Sequence, residues 1–219
     1  MSDNLINIQV AHKSMNLPTE PQCLDLFEQY KVPKHILKHC QKVHQASMFL
    51  AQRIKEIGAP INLPLVSALA LCHDLFKAAT FTELKPNKYH EEPYTSEEIA
   101  MWKKLREKYA GKYEGEIASE ILKDQYPELA YSLMRVSDWK TENPSIEEMI
   151  VHYTDMRIMQ EKVVSLLQRL EYLMERYPRP EEIWEQFLAH LRKVERELFV
   201  YLDFEPQELA EALEETHGQ

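Results

Sequence analysis

The adjacent pair His73-Asp74, followed by Lys77, holds the residues of this sequence that are best suited to chemistry. The pair lies within an almost wholly apolar run over residues 65–81 (LVSALALCHDLFKAATF). Burying a carboxylate beside an imidazole costs roughly several kcal/mol unless both groups are satisfied, and a metal cation is one of the few sufficient partners. The pair therefore predicts metal ligands. Lys77, four residues after His73, adds a positively charged group beside the pair, although a surface lysine is the alternative.

Composition limits both the fold class and the partners. The chain has 219 residues, of which 44% are hydrophobic, and this is enough for one sizeable core. Only 4 glycines accompany 36 acidic and 26 basic residues, which predicts an all-α fold with little room for hairpins. The net charge of −10 argues against a nucleic-acid polymer as partner, because phosphate backbones are bound mainly by Lys and Arg.

The cysteines and the apolar segments indicate a compartment. Cys23, Cys40 and Cys72 are odd in number and lack C-x-x-C spacing, so neither a disulfide framework nor a thiolate zinc site is predicted. The N-terminus shows no basic segment followed by a long apolar one, and no span approaches about 18 uninterrupted apolar residues. We therefore expect a soluble cytoplasmic protein with no membrane partner.

Helices must position the candidate residues, and prolines, glycines and capping motifs mark their ends. Helices are predicted at about residues 22–30, 33–57, 62–73, 95–109, 113–124, 127–137, 145–177 and 181–202, with a short amphipathic piece from Pro206. We expect residues 1–20 to form an N-terminal arm and residues 21–219 a single domain. Residues 82–94 predict a loop beside the His-Asp pair, where loops usually shape substrate access.

Periodicity distinguishes the roles of these helices. Residues 65–71 leave the third helix without a polar face, which predicts that it is the central, surrounded helix. On the second helix, apolar residues follow His39 four, seven and eleven positions later, so His39 faces inward. The apolar and aromatic stripe of the helix at 181–202 indicates core or a homodimer contact rather than a cofactor site.

Three segments resemble, in order, those of the HD-domain superfamily of metal-dependent phosphohydrolases. HCQKVHQA, which begins at His39, resembles the opening His-x-x-x-Val-x-x-Ala, and residues 68–77 (ALALCHDLFK) resemble the centre Ala-x-Leu-His-Asp-Ile-Gly-Lys. Residues 153–157 (YTDMR) resemble the Ala-Asp-Lys-Arg segment that carries the last ligand. The resemblance covers about residues 35–176 and implies an HD-domain-like helical bundle, with additional C-terminal helices at about 181–219.

The resemblance implies that His39, His73, Asp74 and Asp155 hold one divalent metal ion. Two imidazoles and two carboxylates suit Mn, Fe, Co, Ni, Zn or Mg, and leave positions for water and a phosphate oxygen. Asp155 has apolar residues four positions before it and three after it, which places it on an apolar helix face.

Two positions depart from the fullest form of the family pattern, in which two further histidines hold a second metal. Glu114 stands in the place of the first histidine, and the place of the second falls near Ser137, a poor ligand. One metal is therefore predicted rather than two. Glu114 becomes a candidate acid or base for the water, with an exposed surface acid as the alternative. We interpret His152 as a neighbour of the ligands, and Arg157 as the partner of a nearby acid.

The resemblance, together with these residues, implies a metal-dependent phosphohydrolase that acts on a small phosphomonoester such as a nucleotide. Asp74, Lys77 and Glu114 are the predicted catalytic residues, with Lys77 offsetting the charge on the phosphate. Two alternatives stay open: a phosphodiesterase of the same superfamily, and a non-catalytic regulatory or interaction module stabilised by its metal. The expected partners are a small phosphorylated substrate and, in a homodimer, a second copy of the chain.

Overall fold

The structure, a computed structural model, describes residues 16–81, 83–86 and 92–215. Within these ranges the chain forms ten α-helices and one two-stranded sheet, and it is 66% helical, which confirms the predicted all-α class. The predicted N-terminal arm lies mostly outside the described residues. So does part of the predicted loop at 82–94, and the described residues of that loop are not helical.

The helices follow one another with short connections. In chain order the elements are α1 (Glu20–Gln29), α2 (Lys34–Glu56), α3 (Leu63–Cys72), a 3₁₀ turn (Lys77–Thr80), α4 (Ser96–Lys108), α5 (Glu114–Leu122), α6 (Pro127–Val136), α7 (Ile146–Asp155), β1 (Ile158–Met159), β2 (Lys162–Val163), α8 (Leu166–Arg176), α9 (Glu181–Phe199), a second 3₁₀ turn (Pro206–Glu208) and α10 (Leu209–Glu215).

Local capping explains most of these boundaries. The side chain of Asn62 accepts a hydrogen bond from the first turn of α3. Thr95, Ser145 and Ser165 each form a capping box with an acid or amide three residues later, so that exposed backbone N–H groups of α4, α7 and α8 are satisfied. After α2, Gly58 adopts φ +97°, which a residue without Cβ tolerates. Boundaries that depend on such local bonds lie close to those predicted.

Helix α3 is the centre of the fold, as predicted. It packs against α1, α2, α6 and α7, and seven of its ten residues are buried. Within the described part of the chain, one stretch, Leu63–Thr80, has the length and composition of a membrane span. However, 67% of that stretch is buried inside the fold, as expected of the core helix of a soluble protein.

The predicted long helix over residues 145–177 is wrong. Helix α7 ends at Asp155, and a hairpin of β1 and β2 separates it from α8. The hairpin pairs Ile158 with Val163 in antiparallel register, and Gln160 at its turn adopts φ +59°. Because α8 starts again at residue 166, its side chains approach the end of α7 instead of continuing away from it.

One cluster of buried apolar side chains extends from Cys23 to Leu213. The inner face of α9 joins it through Trp184, Phe187, Leu191, Val194 and Leu198, in agreement with the predicted stripe. Helix α9 packs against both α7 and α8. It therefore supports the helix that ends at Asp155 and the helix that follows the hairpin.

Candidate metal centre

Three helices bring four candidate ligands together. His39 lies on α2, His73 caps the C-terminus of α3 and Asp74 follows it, while Asp155 is the last residue of α7. Helix α2 is tied to α7 by a buried hydrogen bond of 2.6 Å between the hydroxyls of Ser47 and Thr154. The ligand set implied by the family resemblance is therefore one spatial cluster.

The distances fit a site for one small cation. Ligand atoms of His39, His73 and Asp74 all lie within 4.8 Å of one another, so this cluster could hold a metal ion. Oδ1 of Asp155 lies 2.9 Å from Nε2 of His39 and 3.7 Å from Nε2 of His73. Nε2 of His73 is 3.9 Å from Oδ2 of Asp74. Two imidazole nitrogens and two carboxylate oxygens that could bind a metal thus lie close together.

Backbone carbonyls orient both imidazoles. Nδ1 of His73 lies 2.8 Å from the carbonyl oxygen of Ala70, and Nδ1 of His39 lies 3.2 Å from that of Gln160. A carbonyl oxygen only accepts, so each Nδ1 donates there and each Nε2 faces the cluster, where Nε2 of His39 lies within hydrogen-bond distance of the Asp155 carboxylate. Nε2 of His73 is buried and has no hydrogen-bond partner among the described residues. Metal-binding histidines are oriented in the same way, because the ring nitrogen that does not bind the metal donates to a carbonyl or a carboxylate.

The electrostatics of the cluster favour a cation. Burial raises the pKa of Asp155, but contacts with His39 and His73 and the charge of Arg169 outweigh it and hold this pKa well below its usual range. Burial lowers the pKa of His73, yet Cys40, Asp74 and Asp155 raise it well above the ordinary value. The carboxylates therefore stay ionised, and positive charge between them is favourable.

Lys77 and Glu114, both predicted catalytic residues, lie together at the edge of the cluster. Nζ of Lys77 is 2.6 Å from Oε1 of Glu114 and 3.5 Å from Oδ1 of Asp74. Burial lowers the pKa of Lys77, but these two carboxylates raise it above its usual value, so the ammonium stays charged. Lys77 links a candidate ligand to Glu114, the first residue of α5.

Sequence reasoning missed Arg169, which approaches the cluster from α8. Its Nη2 lies 3.2 Å from Oδ1 of Asp155, and only 11% of its side chain is exposed. The missed signal was the capping box of Ser165 and Gln168, which announces a new helix after Asp155. With a continuous helix, a residue fourteen positions after Asp155 would lie about 21 Å away along the axis.

The cluster lies in the wall of a cavity of about 1070 Å³. Its acidic and basic side chains include Asp74, Lys77, Glu114, Asp155 and Arg169. An apolar and aromatic part is lined by Val136, Trp139, Val151, Ile183, Trp184 and Phe187. The cavity is large enough for a small molecule that combines an anionic group with an apolar part.

Ser137 also lines the cavity, close to α5. Its hydroxyl donates to the carbonyl oxygen of Leu133 at 2.9 Å. A Cβ added at Gly115, the residue after Glu114, would lie 2.5 Å from Oγ of Ser137. Glycine at this position therefore allows the start of α5 to approach the end of α6, and so places Glu114 at the cavity.

His152 and Arg157 have different surroundings. His152 packs against the rings of Phe187 and His190, and burial followed by the charge of His190 lowers its pKa to about 4. It lines the cavity wall and is not a member of the cluster of candidate ligands.

Arg157 is buried and, as predicted, pairs with an acid. It lies 3.5 Å from Glu195 and donates to the carbonyl oxygens of Val164 and Pro206 at 2.6 and 2.8 Å. It ties the end of α7 to β2, α9 and the start of the C-terminal segment.

No protein-family model matches the chain, and no curated protein or solved structure is significantly similar to it.

Proposed function

We propose that this protein is an HD-domain-type phosphohydrolase that uses one divalent metal ion to hydrolyse a small phosphomonoester such as a nucleotide. The observation that carries the proposal is the pair of imidazoles, His39 and His73, whose Nδ1 atoms are held by carbonyls and whose Nε2 atoms face carboxylates. Nε2 of His73 is buried, makes no hydrogen bond among the described residues and lies 3.7 and 3.9 Å from two carboxylates, which fits a metal ligand.

The donor set limits the metal. Two imidazole nitrogens and the carboxylates of Asp74 and Asp155 suit Mn, Fe, Co, Ni, Zn or Mg. An ion held there supplies Lewis-acid chemistry, because it polarises a phosphoryl oxygen and lowers the pKa of water. His39, His73, Asp74 and Asp155 would hold it, with Asp155 further restrained by Arg169.

The remaining groups are placed to handle charge and protons. The ammonium of Lys77 offsets the negative charge that builds on the phosphoryl oxygens as a water oxygen bonds to phosphorus and the ester oxygen departs as an alcohol. Glu114, 2.6 Å from Lys77, accepts a proton from the attacking water and gives a proton to the departing ester oxygen, so that the alcohol leaves neutral and the carboxylate is restored. Asp74 contacts both His73 and Lys77, and so couples the candidate ligands to this pair.

The cavity favours an enzyme over a structural metal site. Structural sites are usually closed by four protein ligands, whereas this cluster lies in the wall of a cavity of about 1070 Å³. Phosphodiester hydrolysis by the same groups is the second candidate, because the cavity also accommodates a molecule with substituents on both sides of the phosphate. A cytoplasmic location is part of the proposal, supported by the three buried free thiols of Cys23, Cys40 and Cys72.

The test combines metal content with phosphate release. Purified protein is loaded separately with Mn, Fe, Co, Ni, Zn and Mg, and we expect about one metal per chain by elemental analysis. At least one of these metals should support phosphate release from a panel of mononucleotides and sugar phosphates. A parallel panel of cyclic and linear diesters reports phosphodiester cleavage.

Ligand variants make the test specific. His73→Ala and Asp155→Asn should lose both metal and activity. His44→Ala is the matched control, because His44 also lies on α2 but bonds to Ser67, away from the cluster. Metal binding without cleavage of any ester would favour the non-catalytic module, and a stoichiometry near two would refute the single-metal proposal.

A further inference from the structure

Helix α8 turns one side to the cavity. Arg169, Tyr172 and Arg176, at positions i, i+3 and i+7, line it, and we call this surface the α8 wall. The two acids of this helix, Glu171 and Glu175, are exposed and do not line the cavity. In a chain with a net charge of −10, the α8 wall therefore presents only positive charge to a bound molecule.

The guanidinium of Arg169 has two N–H donors near the metal centre, of which one contacts Asp155. Its Nη2 lies 3.2 Å from Oδ1 of Asp155, while its buried Nε has no hydrogen-bond partner among the described residues. Nε and Nη2 share one edge of the guanidinium, the edge that binds carboxylates and phosphates through two parallel hydrogen bonds. This end of the α8 wall belongs to the metal centre.

Arg176 lies at the other end of the α8 wall. It lies seven positions after Arg169 on this helix, which corresponds to a rise of about 10 Å. The centre of the Tyr172 ring lies 5.3 Å from Cζ of Arg169 and 6.0 Å from Cζ of Arg176. The hydroxyl of Tyr172 accepts a hydrogen bond of 2.9 Å from Nη1 of Arg176 and so restrains it. This rise of about 10 Å places Arg176 beside a different part of a bound molecule from the part that Arg169 faces.

We propose that the α8 wall binds a second anionic group of the substrate, a carboxylate or a second phosphate, at Arg176. Preferred substrates then carry two anionic groups about 10 Å apart, one at the metal centre and one beside Tyr172. A guanidinium is suited to this role because its planar donors match both kinds of oxyanion. The inference rests on the proposed function, since it requires the reacting phosphate to lie at the metal centre.

Binding of two phosphonates that cannot be hydrolysed tests the α8 wall without turnover. Hexylphosphonate and 6-phosphonohexanoate differ only in a terminal carboxylate, and calorimetry in a buffer containing Mn²⁺ measures their affinities. We expect wild type to bind 6-phosphonohexanoate about tenfold to a hundredfold more tightly, the range of one or two charge-assisted hydrogen bonds. Arg176→Met should abolish this preference, and Arg176→Lys should restore only part of it.

Controls separate this role from a structural one. Arg192→Met, on the exposed side of α9 and outside the cavity, should retain the wild-type preference. Equal affinities of wild type for the two phosphonates would overturn the inference, and this outcome requires no variant to fold. An unchanged preference in Arg176→Met would overturn it as well.

Phosphate release separates this inference from the proposed function. A preference for 6-phosphonohexanoate that depends on Arg176, in a protein that cleaves no ester, would support the α8 wall and refute the hydrolase. Cleavage of phosphomonoesters by a protein that binds the two phosphonates equally would support the hydrolase and refute the α8 wall. Among accepted substrates, comparison of phenyl phosphate with 4-carboxyphenyl phosphate, and of fructose 6-phosphate with fructose 1,6-bisphosphate, distinguishes a carboxylate from a second phosphate.

Discussion

Nδ1 of His39 lies 3.2 Å from the carbonyl oxygen of Gln160, so a hairpin turn orients a candidate metal ligand on a distant helix. Gln160 and Glu161 form the two-residue connection between β1 and β2. Gln160, the first of the two, has φ +59°, as the first central residue of a type II′ turn does. The direction of its carbonyl depends on this left-handed conformation.

Replacing Gln160 with proline should therefore weaken metal binding. Proline fixes φ near −65° and cannot adopt the observed turn, so the carbonyl would turn away from His39. We expect Gln160→Pro to bind metal about 10- to 100-fold more weakly, the usual effect of losing a hydrogen bond that orients a ligand. Gln160→Gly, which retains access to positive φ, should stay within about twofold of wild type. Equal affinities in a chelator competition assay would show that the turn does not orient His39.

The contact between Lys77 and Glu114 predicts an energetic coupling. Only 29% of the Lys77 side chain and 20% of the Glu114 side chain are exposed. Lys77→Met leaves Asp74 and Glu114 without their shared cation, and should lower the free energy of unfolding by about 2 kcal/mol in metal-free protein. Adding Glu114→Gln should recover part of this loss, with a coupling of about 1 kcal/mol in a double-mutant cycle.

Urea denaturation measures this cycle, and Lys55→Met on the exposed side of α2 is the control. Additive losses in the double variant would contradict the coupling. With an accepted substrate, Lys77→Met should also lower kcat/KM by about two orders of magnitude. Unchanged kinetics would remove Lys77 from the proposed chemistry.

Gly115 predicts a packing defect beside the site. In Gly115→Ala the new Cβ would meet Oγ and Cβ of Ser137 at 2.5 and 2.7 Å and the carbonyl oxygen of Leu133 at 2.8 Å. Because one of these atoms is backbone, α5 and α6 must separate, and we expect a loss of about 1–3 kcal/mol. Thermal unfolding measures it, with the exposed Glu120→Ala on the same helix as a control that should stay within about 0.5 kcal/mol. A melting temperature equal to wild type would contradict this close packing.

His152 predicts a specific loss of stability in acid. Its folded pKa of about 4 lies below the unfolded value near 6.5, so the unfolded chain binds more protons between these limits. The contribution of neutral His152 to the free energy of unfolding is fully present above about pH 6.5 and is lost as the pH falls towards 4. In the presence of chelator, wild type should lose up to about 3 kcal/mol more than His152→Gln over this range. Parallel stability curves for the two proteins would show that His152 does not titrate in this way.

The elements that depend on neighbours in the chain could be predicted from the sequence. Asn62, Thr95 and Ser145 satisfy backbone groups within the next turn, so their types and spacing announce helix starts without tertiary information. The central position of α3 follows from its lack of a polar face. Apolar periodicity predicted that His39 and Asp155 face inward. Their grouping with His73 and Asp74 was predicted only because three segments resemble, in order, those of a known family.

Tertiary structure decided what happens after Asp155. Residues 156–165 (MRIMQEKVVS) contain neither glycine nor proline. Their local signal, the capping box that begins at Ser165, marks where α8 starts but not where α7 ends. Buried Arg157 donates to Val164 within the break, and two bonds join the break to distant segments: Arg157 donates to Pro206, and Gln160 accepts from His39. These bonds form only when α2, β2 and the C-terminal segment are in place, and their combined free energy outweighs local helix propensity.

The same break decides the composition of the site. It returns Arg169 to within 3.2 Å of Asp155 and places Arg176 along the cavity, whereas a continuous helix would carry both away. Likewise, the approach of Glu114 to Lys77, 37 positions earlier in the chain, depends on how closely α5 and α6 pack at Gly115. The residue types of the candidate ligands can be read directly from the sequence. The charged groups that surround them are set by packing between distant segments, because electrostatic contacts follow distance in space and not separation along the chain.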